Sequence, residues 1–149
     1  MDLATIFKLI NTAVLPAWLL LIFLPRGSVT KTLVHSMLYP LLLGMVYTIG
    51  LGFAVYGGMG AADGGFTTLA GVKALFSADI SILIGWAHYL VFDLFVGAWI
   101  ARDAQRRGFL HGLLIPCLLF TFMAGPLGLL LYVILRRALN KGGWSLMET

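Results

Sequence analysis

The chain has 149 residues, 60% of them hydrophobic and only 11% charged, with a formal net charge of +4. Its mean hydropathy of +0.98 excludes an ordinary soluble domain, where about 45–50% of residues are apolar, and points to an integral membrane protein of one domain, 1–149. The positive balance does not mark a nucleic-acid binder, because Lys and Arg sit at the ends of apolar runs, where headgroups hold them, and no basic stripe interleaves with exposed aromatics.

Four apolar stretches are long enough for a helix to cross a bilayer, which takes about 20 residues. The first covers 3–24 and stops at Pro25-Arg26-Gly27; the second covers 33–56 and stops at Gly57-Gly58. The third covers 79–100, and the fourth covers 110–135 and ends at Arg136-Arg137. None alternates as a barrel strand does, so the predicted fold is all-α, a four-transmembrane-helix bundle. Residues 25–32 and the ARDAQRRG run from Ala101 read as short basic loops. The longer connection, 57–77, opens with GGMGAADGG and continues as FTTLAGVKALF. Phe66, Leu69, Val72 (or Lys73) and Phe76 then recur at helical spacing, which predicts a short interfacial helix.

The start of the chain does not read as a cleaved leader, since Asp2 precedes the apolar run and Lys8 lies inside it. Cys117, in the apolar setting IPCLLF, reads as an inert buried thiol. In a four-crossing chain, Lys8, Lys73, Arg136, Arg137 and Lys141 fall on one side, and Arg26, Lys31, Arg102, Arg106 and Arg107 on the other. With so even a split the positive-inside rule assigns no orientation. Each span also carries Gly or Pro. The Gly125-Pro126-Leu127-Gly128 run reads equally as tight packing or as irregular backbone lining a cavity.

Polar residues inside the spans are the functional clue. An aspartate at the centre of a span costs about 2.5–3.5 kcal/mol on insertion scales, and such residues face the protein interior. In GWAHYLVFDLFVGAW, from Gly85, the two misfits are His88 and Asp93. Asp79, Trp86, Tyr89 and Asp93 share one helical stripe, whereas His88 lies about 140° from Asp93, on a stripe with Ser81, Phe95 and Arg102. Asp79 also reads as an N-terminal acid complementing the helix dipole. Asn11, Thr12, His35, Tyr39, Tyr47, His111, Thr121 and Tyr132 are further polar positions on the spans. Three His and two Asp admit a non-haem iron site, but none has tight ligand spacing. No Ser-His-Asp signature, phosphate loop or dinucleotide fingerprint is present, and nothing in the sequence requires a cofactor.

The strings TAVLPAW, ALFSADISILIGWAHYLVFDLF and PCLLFTFMAGPLGLLLY resemble the abscisic-acid-deficient-four family over nearly the whole chain, most closely at Trp86, His88, Asp93, Leu94 and Phe95. Asp79 matches an acidic position of that family, and Tyr47 and His111 fall on family-like positions, whereas His35 does not. The resemblance implies carotenoid or isoprenoid lipid chemistry, because family members in plants are required for making neoxanthin, an allenic xanthophyll formed from an epoxy-carotenoid. It implies isomerisation or epoxide opening; that chemistry needs an acid and a base, for which the residues offer a desolvated Asp93 held neutral and His88, with Asp79 as a third catalytic candidate. Trp86, Tyr89, Phe92, Phe95, Tyr47 and His111 would bind substrate, with Trp99 as a further wall.

A short chain without a plastid transit peptide is expected to be a bacterial member in the inner membrane. Alternatives are a non-enzymatic protein that binds a pigment or docks a carotenoid-pathway enzyme, metal-dependent carotene cleavage, or a small channel; the expected partners are the lipid bilayer, a carotenoid or isoprenoid lipid, and carotenoid-pathway enzymes or further copies of the chain.

Overall fold

The computed structural model describes residues 2–146 and is all-helical, with no strand among them. In chain order the helices are α1 (Leu3–Phe23), α2 (Ser28–Leu33), α3 (Leu38–Tyr56), α4 (Leu69–Leu75), α5 (Asp79–Arg106) and α6 (His111–Ala138). Four stretches are long and apolar enough to cross a membrane: α1, the α2–α3 stretch Ser28–Tyr56, α5 and α6. The helix expected in the long connection is present as α4, capped by the Thr68 hydroxyl, which accepts from the Gly71 N–H at 3.0 Å. At the other end of the chain the Asp2 carboxylate accepts from the Thr5 N–H at 2.9 Å. That bond holds the Asp2 pKa below its ordinary value.

Two boundaries differ from the sequence reading. The second span is broken, because α2 ends at Leu33 and α3 begins only at Leu38, with Pro40 in its first turn. The ARDAQRRG run is mostly helix, since α5 continues through it to Arg106. Its apolar face continues through Ala101 and Ala104, both buried, so nothing stops the helix before Gly108.

The chain divides into two compact units. The first contains the start of α1 up to Ala13, together with Leu38–Val91. There α3 and α5 approach closely, because Gly50 has no side chain; a Cβ at that position would lie 3.0 Å from Ile84 Cγ1. α1 joins this unit through Trp86, whose indole N–H donates to Asn11 Oδ1 at 3.0 Å and whose ring lies 5.7 Å from Phe7.

The second unit contains Val14–Met37 and the chain from Phe92 onward. Its core includes Val14, Ala17, Trp18, Leu21, Ala98, Ala101, Leu114 and Leu118. Here α6 is not straight. Ala124 adopts φ −157°, ψ 60°, inside what is otherwise a continuous helix. Pro126 follows, and its ring cannot fit behind a regular turn, so the helix breaks there and a new one starts with proline in its first turn. The break reverses the chain. Gly128 packs against Thr121 and the Cys117 carbonyl, although residues seven apart in a straight helix are separated by about 10 Å. The Tyr132 ring lies 5.6 Å from Phe109, which precedes the helix, and Lys141 Nζ donates to the Gly108 carbonyl at 2.8 Å. In a straight helix of this length the two ends would lie about 40 Å apart.

Candidate functional site

The first unit holds a half-open cavity of about 790 Å³. Ser81, Ile84, Gly85 and His88 form its α5 wall, and Tyr47, Leu51, Ala54 and Val55 form its α3 wall. Both sets have the spacing of a single helical face. The remaining lining comes from Gly58, Gly60, Ala61, Ala62, Gly64, Phe66, Leu75 and Phe76. This glycine-rich segment leaves α3 through Gly58, whose φ of +66° favours a residue without a Cβ. Gly57 and Gly60 donate back to the Phe53 and Ala54 carbonyls at 3.0 and 3.1 Å. Phe76 lies over Gly85, where a Cβ would come within 2.7 Å of its ring.

Three residues with polar side chains line this space: Tyr47, the buried Ser81 and His88. The Tyr47 and His88 rings are 5.7 Å apart and inclined at 50°. No Lys or Arg and no acid lines the walls. The cavity suits a neutral, largely apolar molecule with one or two oxygen atoms.

The other sequence candidates lie elsewhere. Trp86 stacks on Tyr89 at 5.1 Å and bonds to Asn11, also in the first unit but not on the cavity wall. Asp79 is in the first turn of α5, where the dipole favours an acid. Phe92 and Phe95 belong to the second unit and are exposed. His111, in the second unit too, bonds through Nε2 to the Ile22 carbonyl at 2.6 Å. It borders a separate hollow of about 470 Å³, formed with Phe23–Gly27, Phe109 and Leu110. Asp93 is buried in the second unit against Gly125, at the N-terminal end of the second arm of α6. Among the described residues no three His, Cys, Asp or Glu gather as metal ligands, so an iron site lacks its donor set there.

Sequence reasoning missed one polar cluster. Asp103 is fully buried, accepting from the Tyr132 hydroxyl, from Arg136 Nη1 at 2.9 Å and from Arg107 Nε at 2.8 Å. Arg136, also fully buried, donates to the carbonyls of Gly143 and Ser145. The available signal was a pair of i, i+4 spacings, Asp103 with Arg107 and Tyr132 with Arg136.

An all-helical membrane protein with an apolar, sparsely polar cavity is the class these features define. The chain belongs to the ABA DEFICIENT 4-like family, whose model matches residues 5–132. A relative from Arabidopsis thaliana, Protein ABA DEFICIENT 4, chloroplastic, is 25% identical over a 144-residue alignment that covers 93% of this chain and 63% of that protein. The chain therefore spans less than two thirds of that relative's length. No solved structure is recognisably similar. A chloroplastic relative lends no support to the expected bacterial inner membrane.

Proposed function

We propose that this chain acts in carotenoid or xanthophyll metabolism within the membrane, and that its cavity receives the oxygenated end ring of such a lipid. The cavity carries this reading: about 790 Å³, walled by α3 and α5, with Tyr47, Ser81 and His88 as its polar side chains. That volume lies within the range of small-molecule sites. Family membership supports the class of substrate.

The reaction we assign is isomerisation by epoxide opening. Protonation of the epoxide oxygen breaks its C–O bond, and loss of a proton from the adjoining polyene carbon gives an allene beside the new hydroxyl. The molecular formula is unchanged, so the step needs one acid and one base. His88 is the base, and the Tyr47 hydroxyl is the group best placed to donate to the oxygen. The acid role expected of Asp93 draws no support from the cavity, which Asp93 does not line.

A second reading, pigment binding without catalysis, is favoured by the scarcity of polar groups on the walls. One experiment separates the two. The chain is expressed in carotenoid-producing bacteria supplied with epoxidised xanthophylls, alongside His88→Ala, Tyr47→Phe and Asp93→Asn. A new pigment lost in the first two variants supports catalysis at this cavity. An unchanged profile with co-purifying pigment supports binding, and neither product nor bound pigment overturns both readings.

A further inference from the structure

Each arm of α6, residues 111–123 and 125–138, is about 20 Å long, whereas the hydrocarbon core is about 30 Å thick. Neither arm crosses alone, and the two are antiparallel, because both ends of α6 meet at the close of α5. There Arg107 Nη1 donates to the Lys141 carbonyl at 3.2 Å, Lys141 Nζ donates to Gly108, and Arg136 and Tyr132 hold Asp103. The outer surface of the hairpin is apolar and exposed at Leu119, Met123, Leu127 and Leu130, with Met123 beside the bend 71% exposed. An apolar tip of this kind belongs in lipid. The backbone freed at the bend is buried at Gly125 against Asp93, as irregular backbone at membrane depth requires.

We infer that α6 is a re-entrant hairpin that enters and leaves the membrane at one face, and that this face is the cytoplasmic one in a bacterial host. The α1–α2 turn lies at the same end of the second unit, since Gln105 donates to the Pro25 carbonyl at 3.1 Å and His111 bonds to Ile22. That end therefore gathers Arg26 and Lys31 with the basic residues closing α5 and α6. It holds eight of the ten Lys and Arg residues, leaving only Lys8 and Lys73. The even split that a fourth crossing implies becomes eight against two, and the positive-inside rule then gives a clear orientation.

Single cysteines in a Cys117→Ala background test this in spheroplasts with a membrane-impermeant maleimide. Leu110→Cys, at the start of α6, and Leu146→Cys, beyond its end, are both exposed, as is Thr67→Cys in the α3–α4 connection. Leu110→Cys and Leu146→Cys should be protected in intact spheroplasts and labelled after lysis, with Thr67→Cys labelled in both. Labelling of Leu146→Cys but not Leu110→Cys before lysis would mean that α6 crosses. Labelling of both before lysis would overturn the orientation. Fusions at the C-terminus of the full chain give an independent readout: green fluorescent protein should fluoresce and alkaline phosphatase should be inactive. The reverse pattern overturns the inference.

Discussion

The Asp93 carboxylate lies so close to Gly125 that a Cβ at position 125 would overlap it. The acid that looks most out of place in the sequence thus meets the start of a helix arm at the point where α6 turns back. Gly125→Ala should lower stability by about 1–3 kcal/mol, as overpacking does in a filled core. Gly112→Ala, on the same helix with nothing within 4 Å, should be neutral or slightly stabilising. Thermal unfolding of the two variants in one detergent checks the contrast, and equal midpoints would remove the special role of position 125.

Asp103 is held by three donors in a fully buried setting. Removing one partner of such a group costs more than the pair contributes, because the other charge stays buried. Arg136→Met should therefore cost about 3–5 kcal/mol. Tyr132→Phe, which removes one bond to a charged acceptor, should cost about 1.5–3 kcal/mol. Denaturant unfolding monitored by circular dichroism gives the order, and a Tyr132→Phe loss exceeding that of Arg136→Met would contradict it.

The width of the cavity depends on Gly85 and Phe76. A methyl at position 85 meets the Phe76 ring, which can swing only by changing the wall it forms. Gly85→Ala should reduce pigment binding or turnover by about tenfold, the effect of about 1.4 kcal/mol, and leave the unfolding midpoint nearly unchanged. The same pigment extraction that tests the function measures this, with wild-type yield as the result that excludes the cavity.

Asn11 and Trp86 join α1 to α5 through one side-chain bond. Interhelical bonds in membranes average about 0.6 kcal/mol and reach about 1.7. A double-mutant cycle of Asn11→Leu with Trp86→Phe should return a coupling in that range. A value indistinguishable from zero would make the contact incidental.

The helices were largely legible because long apolar runs bounded by Pro, Gly and Arg admit few alternatives. The helical wheel separated His88 from Asp93, and the structure puts His88 on the cavity wall with Ser81 and Asp93 elsewhere. Reversal at Ala124 was not legible. Two half-crossings and one full crossing have the same composition and length, and only the Gly125–Gly128 run hinted at irregular backbone. Asp103 was hidden for a different reason: its neighbours in sequence are basic and polar, so ARDAQRRG reads as a loop. Burial comes from Tyr132 and Arg136, about thirty positions away.

The fold-back of α6 also bears on how the chain is made. If α6 crossed instead, Arg136, Arg137 and Lys141 would have to pass through the bilayer. Against an opposing potential of 100 mV, three such charges cost roughly 7 kcal/mol in electrical work alone. A hairpin that enters and leaves at one face, as inferred above, would keep all three charges on the side where they start and would avoid that electrical work.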